Sequence, residues 1–201
     1  MESYLVEFEE EFREEDVGPF FRNQFPGMKK NIETMVGVEL GDVNFLSAAE
    51  FGRKSWFEVL GRVFDPLVNL LLYGDPFASP VSTCKSDSLI VYYPSTIISE
   101  APNMNYMMQI GLHELGHVAH LKILGRSYFN RDVGPRWVQE GFADKIALDI
   151  LEDNGYGHVG SKDYSHYERF MKFLDGRGID DYSGIKGFLR ESDKEWVDGW
   201  K

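Results

Sequence analysis

What this 201-residue chain has little of narrows the field first. It holds one cysteine, Cys84, so an internal disulfide and a Cys-rich zinc framework are both excluded. Any metal site must be built from histidine and carboxylates. Positive charge is also scarce: 21 Lys and Arg against 33 Asp and Glu leave a formal charge of −12. That balance argues against a protein that coats nucleic acid or an anionic membrane. Long apolar runs are missing too. The longest apolar run read from the sequence, Val68 to Tyr73, is far below the roughly 20 residues that span a bilayer. The segment Met1 to Glu15 interrupts its apolar residues with acid and lacks the basic and apolar regions of a signal peptide, so a cytoplasmic location is expected.

What is present, 43% hydrophobic and 27% charged residues, suits one sizeable core. A single domain over 1–201 is expected, with an upper strand-and-helix subregion over 1–100 and a mainly helical, metal-binding subregion over 101–201. Tyr4, Val6 and Phe8 alternate with acids as an edge strand or arm would. Phe20 to Met35 reads as a short helix interrupted near Pro26 and Gly27, and Val36 to Leu40 and Val43 to Leu46 read as short strands. Ser47 with Glu50 three residues later forms a capping box ahead of a run carrying Trp56, Phe57 and Leu60. The Pro, Gly and Ser content between Asp65 and Asp87 suits loops, and Leu89 to Tyr93 is the clearest strand. After Pro102 the chain reads mainly as helix. Mixed elements followed by helices, without a repeated strand-helix unit, indicate an α+β fold.

The chemistry concentrates in His113-Glu114-Leu115-Gly116-His117, inside the proline-free segment Asn103 to Leu124 that ends before Gly125. Residues four apart lie on one helical face, so two imidazoles can address one zinc ion. Glu114 stands beside them, where a carboxylate can take a proton from an activated water and pass it to a leaving amine. Met108, Leu112, Leu115, Val118 and Ala119 mark the helix as mostly buried, and a buried helix seldom keeps such polar groups without partners. Catalytic zinc usually has three protein ligands and one open position. The next predicted helix, opening at Pro135, carries Glu140 and Asp144 on a shared face, with Ala143 and Ala147 keeping that face narrow.

His113-Glu-Leu-Gly-His117 followed by Glu140-Gly-Phe-Ala-Asp144 resembles the gluzincin metallopeptidases, the group of thermolysin and the zinc aminopeptidases. The resemblance runs over residues 104 to 149. It implies a zincin-like α+β domain with a small mixed or antiparallel sheet, a zinc-binding helix and a following Glu-bearing helix. It implies zinc as cofactor with His113, His117 and Glu140 as ligands, Glu114 as catalytic base, and Asp144 orienting a ligand histidine, His113 by preference. A metzincin would need Gly at 120 and His at 123, where the chain has His120 and Ile123. His120 lies about 10 Å along the axis from His113, too far for one compact shell, so a packing or cleft-edge role is expected.

Members of the family stabilise the developing oxyanion with a Tyr or His, and here Tyr164, His166 and Tyr167 are the candidates. The strand before the zinc helix, Ser88 to Tyr93, could pair with an extended peptide if it lies at a sheet edge. The expected function is zinc-dependent hydrolysis of peptide bonds, as an endopeptidase on extended peptides. Its partner would be a peptide or unfolded protein, with no nucleic acid and no membrane. The alternative is a zinc-bearing peptide-binding or structural domain that turns over weakly or not at all. Cys84 is expected to be a free or buried thiol in a loop.

Overall fold

The computed structural model describes residues 12–50, 82–100, 103–127, 134–156 and 165–198. In chain order these form helix α1 (Glu14–Ile32), one π-helical turn (Glu33–Gly37), strands β1 (Asn44–Ser47), β2 (Ser82–Ser86) and β3 (Leu89–Tyr92), and helices α2 (Pro94–Glu100), α3 (Met104–Leu124), α4 (Arg136–Asp153), α5 (Ser165–Asp175) and α6 (Tyr182–Asp198). This is an α+β arrangement with a small mixed sheet. The helix bearing His113 and His117 is followed by a second helix carrying Glu140. The expected helix beyond Glu50, the arm over 1–11 and most of the Asp65 to Asp87 loop lie outside the described residues.

Helix α3 is the central element. Asn103 caps it by accepting a hydrogen bond from the Tyr106 N–H at 2.9 Å, and Gly125 ends it in the left-handed conformation at φ 65°, which glycine adopts without a Cβ penalty. Met107, Leu112, Leu115, Val118, Ala119 and Leu121 are all fully buried, so this helix is surrounded by protein instead of lying on a surface. Helices α1, α4 and α6 and strand β2 pack around it.

The expected break near Pro26 does not occur: α1 runs unbroken through Pro19 and Pro26. Both prolines are exposed, whereas Val17, Phe20, Phe21, Met28 and Ile32 form the buried face. The carbonyls of Glu15 and Arg22 that lose their intrahelical donors therefore face solvent, where water can serve them. Burying two Phe, a Met, a Val and an Ile, at about 1.5–3 kcal/mol per large side chain, outweighs the lost bonds. The expected strand at Val36 to Leu40 is also corrected. Residues through Gly37 continue the helix as a π turn, Gly37 turns the chain at φ 66°, and the Leu40 N–H is taken by Glu33 Oε1 at 2.9 Å instead of by a strand.

The sheet order is β1-β3-β2, with β1 parallel and β2 antiparallel to β3. Strand β3 is therefore central, not an edge. Strand β2 lies within the segment expected to be loop, so Cys84 sits on a strand. The capping box at Ser47 is present: the Glu50 N–H reaches Ser47 Oγ at 3.2 Å and the Ser47 N–H reaches Glu50 Oε2 at 2.9 Å. Phe170, Leu174, Ile185 and Leu189 close the core from α5 and α6. Among the described residues no helix is long and apolar enough to cross a membrane.

Candidate metal centre

Two glycines set the spacing of the helices that build the site. A Cβ at Gly116 would stand 2.8 Å from Ala143 Cα, and one at Gly141 would stand 2.4 Å from Phe170 Cβ and 2.7 Å from the His166 carbonyl oxygen. Glycine at these positions thus allows α3 to approach α4, and α4 to approach α5, backbone to backbone. That closeness brings Glu140 to both imidazoles of α3. Its Oε2 lies 3.4 Å from His113 Nε2 and 3.5 Å from His117 Nε2, and the two rings are mutually perpendicular with centroids 4.7 Å apart.

Those separations suit a shared ion better than direct hydrogen bonds, which run at about 2.7–3.2 Å. Two donors each about 2.1 Å from one zinc ion at the tetrahedral angle stand about 3.4 Å apart. The three ligand atoms all lie within 4.8 Å of one another. Two imidazoles and one carboxylate, partly shielded from water, fit a divalent ion of the zinc type.

Asp144, one turn beyond Glu140, places Oδ1 2.7 Å from His113 Nδ1. A carboxylate only accepts, so Nδ1 carries the proton and donates, leaving Nε2 to face Glu140. Burial alone would push the His113 pKa down, but Asp144 and then Glu140 outweigh it and hold the group well above its usual value. Burial likewise acts to raise the Glu140 pKa, and His113 and His117 overcome it, holding the carboxyl far below the usual range. The pocket therefore favours positive charge between imidazole and carboxylate, which a proton or a metal ion can supply.

Glu114 is 6% exposed and turns toward strand β2. Its Oε1 accepts a hydrogen bond from Ser82 Oγ at 2.8 Å, and its Oε2 is buried with no hydrogen-bond partner among the described residues. Cys84, two residues along β2, donates its thiol to the Ser86 carbonyl at 3.2 Å. Burial, and then the charge of Glu114, hold that thiol protonated well above its usual range.

The structure thus brings His113, Glu114, His117, Glu140 and Asp144 together. Tyr164 lies outside the described residues. His166 stands at the start of α5, whose backbone abuts Gly141 beside Glu140. Tyr167 is partly buried, and burial followed by the charges of Asp149, Glu152 and Asp144 raises its pKa. His120 is fully buried with its ring 5.6 Å from that of Phe142. Burial, and then His117, lower its pKa to about 3.

Three residues of the site were not anticipated. Ser82 was hidden in a segment of loop composition. Arg136, whose Nε lies 3.5 Å from Glu140 Oε1, carried only the weak signal of its i,i+4 spacing. Gly116 had a readable one: a residue without a side chain, one turn from His113, marks close helix approach.

A buried His-Glu-x-x-His motif joined by a distal Glu from the next helix is consistent with a generic zincin-type metal site, the kind found in hydrolytic metalloenzymes. Comparison with protein-family models, curated proteins and solved structures gives no significant match.

Proposed function

We propose that this chain is a zinc-dependent peptidase of the gluzincin type that cuts extended peptides internally. The observation that carries this reading is the single Glu140 oxygen standing 3.4 and 3.5 Å from two imidazole nitrogens, beside a buried carboxylate that is not one of the three ligand groups. Zinc held by His113, His117 and Glu140 would supply Lewis acidity to a water and to the scissile carbonyl.

The chain's own residues do the rest. Asp144 keeps the proton on His113 Nδ1 and so directs Nε2 inward. Glu114 accepts a proton from the attacking water and returns it to the departing amine, a role its bare Oε2 suits. A developing oxyanion needs a further donor. Of Tyr164, His166 and Tyr167, His166 is favoured because it lies in the first turn of the helix whose backbone abuts Gly141, next to Glu140. Among the described residues strand β2 pairs on one side only, with β3, and its other side would take an extended peptide by backbone hydrogen bonds that ignore side-chain identity. The Ser82 contact ties that strand to Glu114.

The test is cleavage mapping on a diverse peptide library by the purified chain carrying one equivalent of zinc. Internal cuts that vanish in Glu114→Gln, with zinc affinity largely kept, are expected. Turnover equal to wild type in Glu114→Gln rejects the mechanism. Loss of successive N-terminal residues would instead indicate an aminopeptidase, and zinc binding with no turnover a peptide-binding or structural domain.

A further inference from the structure

The hydroxyl of Ser82 reaches Glu114 across 32 residues of sequence, from a strand to the central helix. We infer that Ser82 is a positioning residue that holds one oxygen of Glu114 so that the other is presented to the reacting water. This rests on the hydrolytic reading above.

A carboxylate on three rotatable bonds can present either oxygen in several directions, and a buried one is costly to keep charged without donors. Here the two oxygens are unequal. Oε1 takes the Ser82 hydrogen bond at 2.8 Å, whereas Oε2 is buried and has no hydrogen-bond partner among the described residues. An unsatisfied buried acceptor beside a metal cluster calls for a reason, and a proton taken up during the reaction supplies one. The donor is also well anchored. Ser82 pairs with Tyr92 in the sheet, and Tyr92 is 2% exposed and stacks on Phe45 with centroids 4.9 Å apart. On the same strand, Cys84 gives its thiol hydrogen to the Ser86 carbonyl and the Ser86 hydroxyl lies 3.3 Å from that of Ser88, whereas the Ser82 hydroxyl donates to Glu114.

Zinc-loaded wild type, Ser82→Ala, Ser82→Thr and Glu114→Gln forms of the chain are compared in two ways. In steady-state peptide cleavage, Ser82→Ala is expected to lower kcat by about 10- to 100-fold, the effect of one hydrogen bond to a charged group. KM and zinc affinity should stay within about twofold of wild type, and Ser82→Thr should recover most of the rate, because its hydroxyl restores the contact. In infrared difference spectra against Glu114→Gln, the Glu114 carboxylate stretch should shift in Ser82→Ala and return in Ser82→Thr. An unshifted band, an unchanged kcat in an active enzyme, or a Ser82→Ala protein that loses zinc or melts early overturns the inference. If the wild type cuts no peptide, the hydrolytic reading fails, and the infrared band still decides whether Ser82 orients Glu114.

Discussion

Replacing Gly116 by Ala puts the spacing argument at risk. The added Cβ would stand 2.8 Å from Ala143 Cα and 3.2 Å from both Ala143 Cβ and the Ala143 carbonyl oxygen. Ordinary carbon contacts lie at about 3.5–4.0 Å, and the obstructing atoms are mostly backbone, so the helices must separate by about 1 Å to restore them. Glu140 Oε2, now 3.4 and 3.5 Å from the two histidine nitrogens, would move toward about 4.4 Å. One ion with bonds of about 2.1 Å spans about 3.4 Å between tetrahedral ligands and at most about 4.2 Å between opposite ones. Glu140 would then be lost as a ligand, and zinc affinity should fall by about 100-fold. Fold stability should change less, because Ala gains about 1 kcal/mol of helix propensity over Gly against an overpacking cost of about 1–3 kcal/mol. The assay is zinc competition against a chromophoric chelator, with thermal melting in excess chelator as the stability measure. Gly187→Ala serves as control, since nothing lies within 4 Å of a Cβ there. It should leave affinity unchanged and melt no lower. Zinc affinity in Gly116→Ala within threefold of wild type would refute the claim that backbone approach at this point sets the site.

Two further outcomes follow from the same geometry. Asp144→Asn removes the charge that holds His113 Nδ1–H at 2.7 Å and should weaken zinc binding about tenfold, measured by the same competition; unchanged affinity would remove Asp144 from the site. His120, fully buried with a pKa lowered to about 3, starts from a usual value of about 6.5 in the unfolded chain. The unfolded state therefore takes up the proton first. The stability of the neutral buried ring is present above pH 6.5 and is lost at about 1.4 kcal/mol per unit as pH falls toward the folded value. His120→Leu should flatten denaturant-unfolding stability between pH 6.5 and 4 in chelator-treated protein, and a slope equal to that of wild type would contradict the assignment.

The His/His/Glu cluster was readable because it depends on local rules. A four-residue spacing in a proline-free helix puts His113 and His117 on one face whatever surrounds them, and the same rule pairs Glu140 with Asp144 on the next helix. The capping box at Ser47 is equally local. What escaped depends on tertiary context. Proline weighs against a helix at residue 26, yet α1 continues because Pro19 and Pro26 face water while its apolar stripe is buried. Whether β3 is central depends on which strands flank it, and β2 had to be recognised inside a Ser-, Pro- and Gly-rich segment first. Ser82 could not be tied to Glu114 without that sheet, since their contact joins a strand edge to a helix and follows no short-range period.

The most direct test of the whole account is X-ray absorption at the zinc edge of the loaded protein, wild type against Glu140→Ala. One zinc per chain is predicted, four-coordinate, with two imidazoles and oxygen donors at about 2.0–2.2 Å, one of them lost in the variant and one exchangeable for a small anion. A sulfur neighbour from Cys84, or a spectrum unchanged by Glu140→Ala, would contradict it.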